Sequence, residues 1–83
     1  MDMIETAVRD VLGARANLSV PAATVGADDD LFDRGLTSLA TVEVMLALEE
    51  RLGIEFPDAA LTRGTFRSVA ALRDTLSRLG AAA

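Results

Sequence analysis

The sequence predicts an all-α protein: a small four-helix bundle with a long loop between helices one and two and a short third helix. Apolar residues recur at helical spacing in three segments, Asp2 and Ser68 stand as capping residues before two of them, and glycines stop two of them. Nothing alternates convincingly as a strand; Gly53-Ile54-Glu55-Phe56 is the one short candidate, and it reads as a connection. With 83 residues, 51% of them apolar, the chain makes a single domain over residues 1–83 with an ordered core over about 2–80. A domain of this size buries only about 60% of its unfolded surface, so a deep catalytic cleft is not expected.

Helix one runs from Met3 to about Ala16, with Ile4, Val8, Val11 and Leu12 on one face and Asp2 with Glu5 approximating a capping box. From Asn17 to Thr37 the periodicity fails, and Pro21, Gly26, Gly35 and the run Asp28-Asp29-Asp30 mark a long connection. A loop of about 20 residues inside a small domain carries function or a short turn of its own. Leu18, Val25, Leu31, Phe32 and Leu36 are the residues expected to pin it to the core. Helix two runs from Ser38 to about Leu52 and ends at Gly53, with Pro57 soon after. Asp58 to Arg63 is the expected short third helix. Ser68 then caps helix four, where Val69, Leu72, Leu76 and Leu79 share a face before Gly80, and the Ala81-Ala82-Ala83 tail is expected to fray. The core is expected to rest on Val44, Met45, Leu48, Val69, Leu72 and Leu76.

Composition removes whole classes of chemistry. Cysteine and histidine are absent, which excludes disulfides, thiol catalysis, thiolate and imidazole metal sites, and every general base of the Ser-His or Cys-His type. No residue is assigned a catalytic or metal-binding role. Thirteen acids against eight arginines leave a net charge of −5, the wrong sign for nucleic acid and the right one for a basic protein surface. No apolar run approaches the roughly 20 residues of a membrane span. Met1-Asp2-Met3-Ile4-Glu5 carries acids where a secretory signal carries Lys or Arg. A cytoplasmic monomer without membrane association is therefore expected. The triple aspartate fails as an EF-hand loop: with Asp28 as first ligand, the sixth place falls on Asp33 where glycine is required and the twelfth on Leu39 where glutamate is required.

The most specific stretch is Leu31-Phe32-Asp33-Arg34-Gly35-Leu36-Thr37-Ser38-Leu39, which sets a serine just after a glycine turn and at the start of a helix. There a hydroxyl lies in the positive field of unpaired backbone N–H groups, which favours a phosphate ester. An isolated serine in that place reads as a plain N-cap; the neighbours of Ser38 say more. Helix two has two apolar faces. Thr41, Val44, Met45, Leu48 and Leu52 form its share of a core, while Leu39, Val42 and Leu46 form a second stripe flanked by Glu43, Glu49 and Glu50. Burying three unpaired glutamates would be costly, which favours a docking strip over a stripe covered by the long loop. Gly35 either supplies a positive φ for the turn or leaves room for a group near Ser38.

Asp33-x-Gly35-x-x-Ser38-Leu39, followed by Thr41-Val42-Glu43, Ala47-Leu48-Glu49-Glu50 and Phe56-Pro57-Asp58, strongly resembles the acyl carrier proteins, most specifically over residues 31–58 and in helix order over about 2–80. The resemblance implies that a phosphopantetheinyl transferase moves the 4′-phosphopantetheine arm of coenzyme A onto Ser38. Asp33, Gly35 and Leu39 would frame the attachment point, and Val42, Glu43, Leu46, Glu49 and Glu50 would form the partner-docking face. It further implies a non-enzymatic carrier: an acyl- or amino acid-activating ligase loads the arm's thiol as a thioester, and a downstream acyl-accepting enzyme unloads it. A chain without cysteine would take that reactivity from the prosthetic group.

Two positions depart from the fatty-acid-synthesis carriers, which usually have acids where this chain has Thr37 and Ala40. Gly35-Leu36-Thr37-Ser38, Glu55-Phe56-Pro57 and Leu61-x-Arg63-x-x-Phe66-x-Ser68 are instead similar to small stand-alone bacterial carriers that accept amino acids from ligases related to the catalytic core of seryl-tRNA synthetase. A reading of another class is a helical adaptor that docks a basic partner through helix two without modification. Ser38→Ala separates the two, being harmless to an adaptor and disabling to a carrier.

Overall fold

Three α-helices joined by loops and short 3-10 turns make up the computed structural model, which describes residues 2–81: α1 over Met3–Arg15, α2 over Ser38–Leu52 and α3 over Val69–Arg78. No strand occurs among the described residues. The all-α class matches the sequence reading, whereas the four-helix count does not. The expected third helix shrinks to one 3-10 turn, Asp58–Ala60, capped by Pro57 and ended by Leu61 at φ −85°, ψ 64°. Its continuation is Thr62-Arg63-Gly64-Thr65, where glycine has poor helix propensity. The Thr62 hydroxyl there accepts the Thr65 N–H at 3.3 Å, offering the backbone a turn in place of a helix.

Caps set the ends of the three true helices. Asp2 Oδ1 accepts the N–H groups of Ile4 and Glu5 at 3.0 and 3.1 Å. The Glu5 carboxylate does not close the capping box; it lies between Arg9 at 3.2 Å and Arg73 at 3.0 Å, tying α1 to α3. Ser68 caps α3 by accepting the Ala71 N–H at 3.0 Å. At the other end Gly80 turns at φ +87°, and the N–H groups of Gly80 and Ala81 donate to Ser77 and Leu76 carbonyls, both at 3.1 Å. This Schellman arrangement holds Ala81 in place; Ala82 and Ala83, the rest of the expected frayed tail, lie outside the described residues.

The long connection is fastened along its length. It contains 3-10 turns at Ala22–Thr24 and Leu31–Arg34, and it buries Val25, Leu31 and Leu36 while Leu18 and Phe32 pack half-buried against the core. Arg9 of α1 donates through Nη1 to the carbonyls of Ala22 at 2.9 Å and Val25 at 2.6 Å. Farther along, the Leu31 N–H donates to Arg67 at 2.7 Å and the Ala70 N–H to Ala27 at 2.9 Å, joining the connection to the entry of α3.

Helix α1 is the hub: it packs against both α2 and α3, which have no comparable packing against each other. Val8, Leu12, Val44, Leu48, Val69, Leu72 and Leu76 form the closed centre, and Met45 lies at its half-buried edge. Phe56 and Phe66, ring centroids 5.7 Å apart, are buried side chains of the segment connecting α2 to α3. A cleft lies between the first turns of α2 and this segment.

Candidate functional site

The turn into α2 is built around Gly35, whose φ of +103° places it in the left-handed region. A Cβ there would meet the Ser19 backbone nitrogen at 3.4 Å, so the close approach is to the long connection and not to Ser38. Of the two roles open to this glycine, the turn is the one its geometry uses. The Leu36 N–H then returns to the Leu31 carbonyl at 3.0 Å, and Thr37 takes an extended conformation before the helix begins.

Thr37, not Ser38, is the N-cap. Its hydroxyl accepts the Ala40 N–H at 3.0 Å, and its carbonyl accepts both the N–H and the hydroxyl of Thr41. Ser38 is consequently the first helical residue, exposed, and its hydroxyl makes no hydrogen bond to any described residue. A hydroxyl that neither caps nor bonds is available to a reagent from solvent, and the adjoining N–H groups of the first turn favour an anion on it. Asp33 is exposed on the 3-10 turn that feeds this helix, and Leu39 follows Ser38 with 76% of its surface accessible.

The second stripe of α2 faces solvent: Val42 is 49% and Leu46 54% exposed, and the long connection packs elsewhere. Glu43 and Glu50 flank it as exposed carboxylates. Glu49 differs from them. It is half-buried, and its carboxylate accepts the Phe56 N–H at 2.8 Å, which holds the chain returning from α2. Asp29 and Asp30 likewise serve their own loop, accepting the N–H groups of Gly26 at 2.8 Å and Phe32 at 2.9 Å.

Beside Ser38 lies a cleft of about 320 Å³ that sequence reasoning missed, lined by Ser38, Val42 and Met45 of α2 and by Phe32, Leu61 and Arg63 from the loops. Its lining brings together the half-buried Phe32 of the long connection and the exposed Leu61 after the 3-10 turn, residues far apart in sequence. The cleft is mainly apolar, and Ser38, Thr41, Thr62 and Arg63 contribute its polar groups.

A family described as phosphopantetheine attachment site matches residues 4–76. The chain belongs to that family. This carrier domain is 41% identical over 69 residues to an aminoacyl carrier protein of Agrobacterium fabrum, the match covering 83% of each chain. It superposes with a TM-score of 0.86 and 37% identity, covering 90% of this chain and 97% of the other, on a chain of the crystal structure of an engineered Bradyrhizobium japonicum glycine:[carrier protein] ligase complexed with carrier protein from Agrobacterium tumefaciens and ATP. A holo acyl carrier protein of Nitrosomonas europaea, solved by NMR, matches with a TM-score of 0.80 and 30% identity over 94% of this chain and 95% of that one. The prosthetic group of the domain is 4′-phosphopantetheine, and the local chemistry suits it: an unbonded exposed hydroxyl, an anion-favouring helix start and an adjoining apolar cleft.

Proposed function

We propose that the phosphopantetheine arm is attached to Ser38 and carries an aminoacyl group, which an amino acid-activating ligase supplies and a separate acyl-accepting enzyme removes. The reading rests on the free hydroxyl of Ser38: Thr37 has taken over the capping bond, so the serine oxygen is left to form the phosphodiester. When attached, the arm supplies a terminal thiol, which the cysteine-free chain lacks, to hold the aminoacyl group as a thioester.

The chain's own residues present that arm. Gly35 turns the backbone so that Ser38 opens the helix, and Asp33 and Leu39 frame it from either side in sequence. Val42 and Leu46 offer contact area, with Glu43 and Glu50 steering a basic partner toward it. Glu49, the fifth member of the docking set, has a carboxylate that also braces the segment after α2. An amino acid as cargo is favoured by the relatives: one is named an aminoacyl carrier protein, and a matching structure contains a glycine:[carrier protein] ligase. In this reading the domain is not an enzyme and works as a cytoplasmic monomer whose tether raises the cargo's effective concentration at each active site.

Intact mass spectrometry tests both halves. Incubation with coenzyme A and a phosphopantetheinyl transferase should add the arm to the wild type and nothing to Ser38→Ala, whose thermal melt should match the wild type. Subsequent incubation with ATP, amino acids and an amino acid:carrier protein ligase should add one aminoacyl increment to the holo form. A Ser38→Ala protein that still gains the arm would overturn the site assignment.

A further inference from the structure

The cleft beside Ser38 is lined by a cation that sits over an aromatic ring. Five of the eight arginines, Arg9, Arg34, Arg51, Arg67 and Arg73, pair with carboxylates. Arg63, like Arg15 and Arg78, pairs with no carboxylate among the described residues, but its guanidinium lies over the Phe32 ring, with the central carbon 3.8 Å from the ring centroid. Ser38 and Arg63 line the same cleft.

Stacking uses the π-face of a guanidinium and leaves its N–H donors, which lie in the plane of the group, free. Phe32 therefore holds the fork in one orientation without occupying a single donor, and a planar fork with open donors matches the two unesterified oxygens of a phosphodiester. The surroundings add selectivity, since the protein carries a net charge of −5 and an anion near Ser38 would otherwise meet the field of Asp33 and Glu43. We propose that Arg63, preorganised on Phe32, binds the phosphodiester that joins the arm to Ser38, so that the first part of the arm runs along Val42 and Leu61 instead of swinging freely. Arg63 is then a positioning residue: it sets the direction in which the arm leaves the domain. The proposal rests on attachment at Ser38, but the two fail separately.

The test uses holo protein whose arm has first been verified by intact mass, so the Ser38 assignment and the clamp are read by separate measurements. Wild type, Arg63→Gln and, as a control for net charge, Arg15→Gln are prepared in apo and holo forms; Arg63 and Arg15 are both exposed, and Arg15 lines a different cleft, so each variant should fold. On loading, the wild type should show a shifted Arg63 Nε–Hε resonance, shifted Val42 and Leu61 methyl resonances, and cross-relaxation between those methyls and the arm's geminal methyl groups. Its phosphorus resonance should differ from that of free pantetheine phosphodiester. In Arg63→Gln the methyl shifts, the cross-relaxation and the phosphorus displacement should be lost, while Arg15→Gln keeps all three. High salt should release the arm in the wild type as Arg63→Gln does. Identical holo spectra for wild type and Arg63→Gln, or an equal loss in Arg15→Gln, would overturn the clamp.

Discussion

At Ser38 the decisive physical fact is a division of labour between neighbours. Thr37 makes the capping bond to the Ala40 N–H, so the modification proposed at Ser38 would leave α2 capped. Thr37→Ala should therefore lower stability by about 1 kcal/mol, the usual worth of a threonine cap. Arm attachment at Ser38 should persist in that variant. Urea unfolding and intact mass together check the pair of outcomes, and a loss of attachment without a loss of stability would mean that Thr37 acts on the transferase and not on the helix. Such a substitution of caps was not readable beforehand. Thr37 and Ser38 are both competent N-caps by residue type, and only the backbone path out of the Gly35 turn, extended at Thr37 and helical at Ser38, decides between them.

At the scale of elements, the long connection and the exposed face of α2 make separate demands. The connection holds its shape because Arg9 reaches across from α1 to two of its carbonyls. Hydrogen bonds to a charged donor contribute about 1.5–3 kcal/mol each, so Arg9→Gln should loosen this segment first. Amide exchange of Thr24, Val25 and Asp29 should accelerate more than that of Leu48 in α2, and uniform acceleration would show that Arg9 supports the whole domain instead. The face of α2 is electrostatic at long range. Reversal of Glu43 and Glu50 to Lys should slow arm loading by a basic transferase, with the deficit largest at low salt, because exposed charges act beyond a Debye length of about 10 Å only when screening is weak. Stopped-flow or quenched loading rates across a salt series measure it; a salt-independent deficit would point to lost contacts in place of lost steering. The amphipathic faces of α2 were legible from spacing alone, since local periodicity fixes what a helix turns toward water. Arg9, the brace at Glu49 and the cleft were not, because each depends on segments far apart in sequence meeting through loops that have no period.

Across the whole molecule, the buried core and the face proposed for partners are made of different residues. Val44, Leu48, Val69, Leu72 and Leu76 are closed off from solvent, while Leu39, Val42, Leu46 and Leu61 remain exposed although they are equally apolar. An 83-residue domain has few apolar residues to spare, and its total stability is of the order of 5–10 kcal/mol. The contact role proposed for these four groups, on α2 and beside it, is separable from the core by mutation. The separation is measurable with two leucines. Leu72→Ala removes a side chain from the centre of the core and should cost about 2–5 kcal/mol, a large fraction of that total. Leu46→Ser removes one from the exposed stripe of α2 and should change stability by less than about 0.5 kcal/mol while weakening ligase binding. Thermal unfolding followed by circular dichroism and ligase titration by calorimetry would report the two effects on two independent axes. If Leu46→Ser lowered the melting temperature as much as Leu72→Ala, the stripe would belong to the core, and the division between the parts of the molecule that hold it together and the part that is offered to partners would fail.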